Sequence, residues 1–254
     1  MCTLIAFHRC LAGAPLVVAA NRDEFHERPT EGPALRTLTP TDHTADAASV
    51  VAPRDLRAGG TWLGVNAHGL FTAITNRRVT EPDPNRRSRG LLVMDALAQP
   101  TAAEAAKRFA DLPEATYNPF NLFLADGESA HWITYADRPE HRPLAPGAHV
   151  VGNVHPDEPS QKLDRLRREV DAVAAEGDAG PERLADLCRA HTGDGLDATC
   201  VHAGPYGTRS STLFRNGPSP WLHYADGPPC EATYRDLTPL LHDLGIQATE
   251  GVQA

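Results

Sequence analysis

The second residue of this chain is a cysteine, and that position opens a chemistry that internal cysteines lack. The small Cys2 side chain suits removal of Met1, which leaves one residue with both a thiol and a free α-amine. An unperturbed α-amine titrates near about 7.7–8.0, so at neutral pH it can accept the proton of an adjacent thiol. One residue then supplies nucleophile and base. From position alone, a Cys that opens a strand is more commonly a small buried apolar residue. On the other side stands the polar run Asn21-Arg22-Asp23-Glu24, directly after an apolar strand. Such runs are commonly solvated turns. When the two N-terminal strands pair, however, Arg22 and Asp23 come to lie near Cys2, where Arg22 favours the thiolate and Asp23 orients the terminal amine.

Three further residues have the right character. Asn76 and Asn153 each close a predicted strand, and an Asn amide can donate to a developing oxyanion, although each is otherwise an ordinary turn residue. Arg209 lies in Tyr206-Gly207-Thr208-Arg209-Ser210-Ser211-Thr212 at a strand entrance, where it can pair with Asp23 or with a substrate carboxylate. Cys188, His191, Cys200 and His202 make a C-x2-H…C-x-H arrangement of the residue types that hold zinc. Cys188 falls in a predicted helix, and Cys200 and His202 alternate within a predicted strand, so the expectation is no metal site. The 12 histidines leave room for an axial haem ligand, but no spacing singles one out. There is no phosphate-binding loop, dinucleotide fingerprint or H-E-x-x-H motif.

Strands must position these residues. Residues 2–7 and 15–20 are short, rich in Val, Ile and Leu, and joined by a Gly-containing loop, which predicts two strands. Residues 30–57, rich in Pro, Thr and Asp, read as a long surface loop. Residues 61–65 and 70–75 flank Asn66-Ala67-His68-Gly69 as a hairpin; residues 121–125 and 131–136 flank Asp126-Gly127-Glu128 as another. Residues 91–97 and 102–109 read as helices separated at Pro100. Leu163, Leu166, Val170 and Val173 recur at helical steps, and residues 182–190 make a further helix. Residues 148–152, 198–203, 211–215, 221–224 and 231–236 complete the strands. Strands then helices, twice over and ending in strands, suit antiparallel sheets covered by helices better than βαβ alternation.

Composition narrows the classes. The 254 residues carry 24 Lys and Arg against 33 Asp and Glu, a net charge of −9, which argues against a nucleic-acid partner. No apolar run approaches the roughly 18 residues of a membrane span. The N-terminus lacks the basic-then-apolar layout of a signal peptide. Five cysteines without regular spacing make no disulfide framework. The expectation is a cytoplasmic acidic protein. With no repeat or linker, residues 1–254 read as one domain, with a peripheral tail from about residue 238; nothing in the composition speaks to oligomeric state.

The blocks Met1-Cys2-Thr3, Asn21-Arg22-Asp23-Glu24-Phe25, Arg28-Pro29-Thr30, Gly59-Gly60-Thr61-Trp62-Leu63-Gly64, Thr75-Asn76-Arg77, Ser88-Arg89-Gly90, Phe120-Asn121-Leu122 and residues 206–212 occur in one order. Together they resemble the NRDE family, also called the transport and Golgi organisation family. One departure is Pro159-Ser160-Gln161-Lys162, where the family usually has a Trp-Pro-Lys after the residue matching Asn153. The family in turn resembles the cysteine N-terminal nucleophile hydrolases, which include bile-salt hydrolases and penicillin V acylases. That resemblance implies an α+β fold: a four-layer α-β-β-α sandwich of two mainly antiparallel sheets. It implies Cys2 as nucleophile, Arg22 and Asp23 as its electrostatic neighbours, Asn76 and Asn153 as oxyanion and amine partners, and Arg209 as a second Arg. The implied reaction is cleavage or transfer of the acyl group of a small N-acyl substrate through a Cys2 thioester, with no cofactor. The family has also been linked to haem trafficking and to lipid or acyl-CoA homeostasis, which makes a non-enzymatic handler, with haem as a bound ligand, the alternative.

Overall fold

The computed structural model describes residues 2–38, 48–193 and 195–247. The N-terminal strands carry apolar residues at both parities, and such strands need cover on both faces. β1 (Thr3–Leu11) and β2 (Ala14–Phe25) pair antiparallel, with Thr3 opposite Asn21. β3 (Thr30–Leu38) and β4 (Ala48–Asp55) follow as an antiparallel pair. β5 (Leu63–Asn66), β6 (Phe71–Asn76), β7 (Phe120–Ala125), β8 (Ala130–Tyr135) and β9 (Pro139–Leu144) extend that pair in chain order into a seven-stranded sheet. The remaining strands join β1 and β2. They are β10 (Gly147–Val151), β11 (His202–Ala203), β12 (Tyr206–Asn216), β13 (Trp221–Ala225) and β14 (Arg235–Asp236). Their order is β10-β1-β2-β12-β13-β14, with β11 pairing to β12.

The two sheets stack face to face. Leu4, Ala6, Leu16, Val18 and Phe214 of one meet Val51, Leu63, Phe71, Phe123 and Trp132 of the other in the central core. The outer face of the second sheet is covered by α1 (Arg89–Leu97) and α2 (Ala102–Phe109), through Leu92, Val93, Ala105 and Phe109. The outer face of the first sheet is covered by α3 (Gln161–Glu176) and α4 (Pro181–Arg189), through Leu163, Leu166, Val170 and Leu184. This is the expected α-β-β-α sandwich. Ser160 starts α3 by accepting from the Leu163 amide.

Four expectations need correction. The loop expected over residues 30–57 holds β3 and β4; residues 39–47 of it lie outside the described residues. β9 lies where no element was expected; it carries Pro139 and Pro143, which an edge strand tolerates. The strands expected at 198–203 and 231–236 shrink to β11 and β14. Within the tail from residue 238, α5 (Thr238–Leu244) sends Leu241 and Leu244 into the central core beside Ile246, so this part is not peripheral; residues 248–254 lie outside the described residues. Among the described residues, no helix is long and apolar enough to cross a membrane.

Candidate active site

The two-residue period of a strand decides which side chains meet at the end of β2. Leu16, Val18 and Ala20 enter the central core, while Val17 and Ala19 face the helices. Continuing that alternation turns Arg22 toward the opposite sheet and Asn21 and Asp23 toward the helical layer. Arg22 stacks over the Trp62 ring, 4.1 Å from its centroid, with Glu24 3.9 Å away. Asn21 donates to the carbonyls of Cys188 and Thr199. Cys2 precedes β1 with the parity of Leu4 and Ala6, so it shares the inter-sheet side with Arg22.

The electrostatics around Cys2 combine burial with an excess of cations. The Cys2 thiol lies 3.8 Å from the Asp23 carbonyl oxygen. Burial pushes its pKa up, against the amino-terminal charge and Arg22, which pull it down. The Asp23 carboxylate accepts from Thr208 Oγ1 at 2.7 Å, and the Asp23 carbonyl accepts from the Tyr206 hydroxyl at 3.1 Å. Burial raises the Asp23 pKa, opposed by the amino-terminal charge and by Lys162. Lys162, in the first turn of α3, is only 3% exposed, and its Nζ has no hydrogen-bond partner. Burial lowers its pKa, while Asp23 and Cys2 favour its charged form. Arg22 is similarly desolvated, and its Nη1 is buried without a partner.

Two glycine loops close the opposite wall. A Cβ on Gly60 would lie 2.3 Å from the Gly90 carbonyl carbon, and the Thr61 amide donates to the Gly90 carbonyl at 3.1 Å. Only glycine allows these backbones to touch. Their contact places Trp62 and Arg89 beside Cys2; Arg89 donates to the Pro119 carbonyl at 3.0 Å. Burial lowers the Arg89 pKa, and Cys2 is the first charge that opposes this. The resulting cleft holds about 630 Å³ and is lined by Cys2, Arg22, Trp62, Asn76, Arg87 and Arg89, among others. A second cavity of about 230 Å³ also reaches Cys2 and is lined by Arg78, Asn153, Ser160 and Lys162.

The sequence-derived residues are not all gathered here. Arg22 and Asp23 adjoin Cys2, and Asn76 stands exposed on the cleft wall. Asn153 Nδ2 donates to the Asn76 carbonyl, which leaves a buried, unpartnered Oδ1. In this orientation Asn153 offers an acceptor, which suits the amine partner among the two roles that the resemblance implies for Asn76 and Asn153. Arg209 pairs with Asp226 at 2.7 Å and not with Asp23, whose carboxylate bonds Thr208. A bulge between Thr208 and Ser210 takes Arg209 out of the register that pairs Thr208 with Asp23 and Ser210 with Arg22. The expected Cys/His quartet is altered too. Cys188 is held in α4 beside Ser211 and Tyr234, with its thiol pushed by burial up to about 11. Cys230 takes its place near His191, Cys200 and His202.

Sequence reasoning missed Arg89, Lys162 and Asn121. Asn121 donates to the carbonyls of Gly152 and Val154, and Thr75 Oγ1 donates to Gly152, fixing the turn that carries Asn153. Lys162 had a legible signal. It is one of two lysines in the chain and occupies the i, i+4 row of Leu166 and Val170, where an apolar residue belongs.

Comparison with known proteins follows this geometry. Among solved structures, an N-acylethanolamine-hydrolyzing acid amidase ortholog of Caenorhabditis elegans superimposes with a TM-score of 0.59 and 12% identity, over 83% of this chain and 91% of that one. A mutant conjugated bile acid hydrolase of Clostridium perfringens gives 0.55 and 12% identity, over 94% of this chain and 93% of that one. Penicillin V acylase of Agrobacterium tumefaciens gives 0.51 and 13%, over 88% and 86%. The shared fold is the sandwich of the N-terminal nucleophile hydrolases. In sequence, the Transport and Golgi organization 2 homolog of Mus musculus is 26% identical over 230 residues, 78% of this chain and 80% of its own length. The Bos taurus homolog is 28% identical over 235 residues, again 78% and 80%. The sequence model for Transport and Golgi organisation 2 matches residues 1–216, and the chain belongs to that family.

Proposed function

We propose that the chain is an amide hydrolase or acyl transferase that works through a thioester on Cys2, once Met1 has been removed. The observation that carries this reading is the convergence of Arg22 and Asp23 on Cys2 at the mouth of the cleft. Because burial opposes a preformed thiolate, activation falls to a base, and the α-amine of Cys2 is the base at hand. The thiol proton passes to that amine as sulfur attacks the acyl carbon. Asn76, exposed on the cleft wall, is a side-chain candidate donor for the oxyanion then formed. The ammonium returns the proton to the leaving nitrogen as the C–N bond breaks. Water, or an acceptor nucleophile, then attacks the thioester and gives its proton to the amine, and the released thiol regains one. Asp23 and Asn153 Oδ1 provide acceptors for the ammonium.

The cleft also speaks to the substrate. Arg22, Arg28, Arg57, Arg86, Arg87 and Arg89 line it, against Asp23, Glu24, Asp55 and Asp83. This favours an N-acyl compound carrying a carboxylate or another anionic group. The same arginines suit the anionic groups of haem or acyl-CoA, so binding without turnover is the second reading. No histidine is among the residues lining the cleft, which weakens a haem site there.

The test begins with intact mass and N-terminal sequencing of protein made in cells, which should lack Met1. The processed protein is then incubated with a panel of N-acyl amino acids and acyl-amide chromogens. Peptide mass spectrometry should find an acyl adduct on Cys2. Quantitative retention of Met1 in protein that turns substrate over would sink the mechanism. No adduct with any panel member, together with a saturable Soret shift on haem titration, would put the binding reading first.

A further inference from the structure

On the helical side of β12, behind the Cys2 cleft, four side chains of another kind converge. Cys200 Sγ lies 3.5 Å from Cys230 Sγ and 3.7 Å from His202 Nε2, and His202 Nε2 lies 3.2 Å from Cys230 Sγ. The His191 ring stands 5.2 Å from that of His202, and one ligand atom from each of the four residues lies within 4.8 Å of all the others. Tetrahedral zinc, with bonds of about 2.3 Å to sulfur and 2.0–2.1 Å to nitrogen, separates its ligand atoms by roughly 3.3–3.8 Å. The three sulfur–sulfur and sulfur–nitrogen separations lie at or close to that range. A disulfide needs its sulfurs about 2.05 Å apart, far closer than these.

The backbone holds the ligands in place from three segments. The Cys200 amide donates to the Ala190 carbonyl at 2.9 Å, tying the segment of His191 to that of Cys200. Cys200 and His202, two residues apart along nearly extended chain, point to one side. Cys230 sits on a turn opened by Pro228 and Pro229, closed by the Glu231 and Ala232 amides on the Pro228 carbonyl and braced by Arg189 on the Pro229 carbonyl. Glu231 stands 4.0 Å from His202 Nδ1, the ring nitrogen left over when Nε2 faces the cluster. A carboxylate on the second nitrogen is the usual support of a metal-bound imidazole.

We propose that His191, Cys200, His202 and Cys230 form a tetrahedral zinc site. Four protein ligands leave no open position, so the site is structural. Binding releases the two thiol protons to solvent and leaves a neutral Cys2His2 centre. The metal pins His191, the segment of Cys200 and His202, and the turn of Cys230 together behind β12. From there the Val201 amide donates to Thr208 Oγ1, the hydroxyl that holds Asp23.

The test uses the full chain, purified under reducing conditions without chelator. Elemental analysis should find one zinc per chain. Chelator-stripped protein titrated with cobalt should develop the intense visible bands of tetrahedral cobalt with a sulfur-to-metal charge-transfer band, and zinc should displace them. Cys230→Ser, on an exposed turn outside the hydrophobic core, should weaken cobalt binding by more than the ~10–100-fold typical of losing a mere outer partner. Cys10→Ser should bind as the wild type does. Reduced wild-type protein that gives no thiolate–cobalt band would overturn the proposal, as would cobalt affinity unmoved by Cys230→Ser. A Cys200–Cys230 disulfide in freshly isolated protein would overturn it too.

Discussion

Cys2 and Cys200 lie on opposite sides of one threonine. Thr208 Oγ1 donates to Asp23, beside Cys2, and accepts from the amide of Val201, beside Cys200. Both thiols are shielded, and both have electron-poor or protonatable neighbours, yet those neighbours differ in kind. Around Cys2 stand Arg22, Arg89 and Lys162, which have donors only. Such groups can stabilise a thiolate or an anionic substrate, but a charged guanidinium or ammonium has no lone pair for a metal. Around Cys200 stand His191, His202 and a second thiol, each of which has one. Under the two proposals, a cysteine sulfur serves as nucleophile on one side of β12 and as metal ligand on the other. What separates the two proposals is that cations with donors only predominate around Cys2, beside Asp23 and the α-amine, whereas three lone-pair donors converge with Cys200 on one point.

The largest test of this contrast is Cys2→Ser. It keeps an α-amine and a nucleophilic oxygen, but a hydroxyl loses its proton far less readily than a thiol, so turnover of any panel substrate should fall by several orders of magnitude. Zinc content should not move. Next comes Thr208→Val, which keeps the shape of the fully buried side chain and deletes the hydroxyl that both sides share. It leaves the Asp23 oxygen and the Val201 amide short of a partner, and denaturant unfolding should show a loss of about 1–3 kcal/mol. An unchanged midpoint would mean that the two sites are not joined through this residue.

A smaller effect is expected from Arg22→Met, which keeps a long stem over Trp62 and removes the charge. In the wild type, burial outweighs the cations, so the pH profile of Cys2 alkylation should have its inflection above that of an exposed thiol. Arg22 favours the thiolate, so its loss raises the Cys2 pKa, and the profile should move to higher pH. A move toward lower pH would show that Arg22 acts on Cys2 through something other than its charge.

How much of this was legible followed from how local the cause is. Cys2, Arg22 and Asp23 could be brought together on paper because one antiparallel pairing and a two-residue period suffice. The layer order was legible for the same reason, from the alternation of strand-like and helix-like runs. Lys162, Arg89 and Cys230 approach their partners only after helices and loops far apart in the chain have packed, and no spacing announces that. For the proposed zinc quartet, the sequence set Cys188 beside His191, Cys200 and His202 and led to an expectation of no metal site, whereas the fold brings Cys230 to the other three. Cys188 is nearer in sequence, but α4 turns it into the core, whereas Cys230 arrives from 30 residues beyond Cys200. β3 and β9 escaped because edge strands need not alternate cleanly and can carry proline.

The smallest effect is expected at Arg209, the residue whose assignment by resemblance fits the geometry least well. Thr208 and Ser210 keep their places opposite Asp23 and Arg22, and Arg209 is the extra residue of the bulge between them. Its guanidinium meets Asp226, which is half exposed, at 2.7 Å. An ion pair open to water on one side contributes at most about 1 kcal/mol. Arg209→Ala should therefore shift the denaturation midpoint little and leave the Cys2 alkylation profile in place, while Arg22→Met moves it. The paired measurement separates the two arginines by readout, because both variants lose one positive charge, one beside Cys2 and the other beside Asp226. If Arg209→Ala moves the profile as far as Arg22→Met does, the bulge reopens toward Cys2 in solution, and Arg209 belongs with the cations of the cleft.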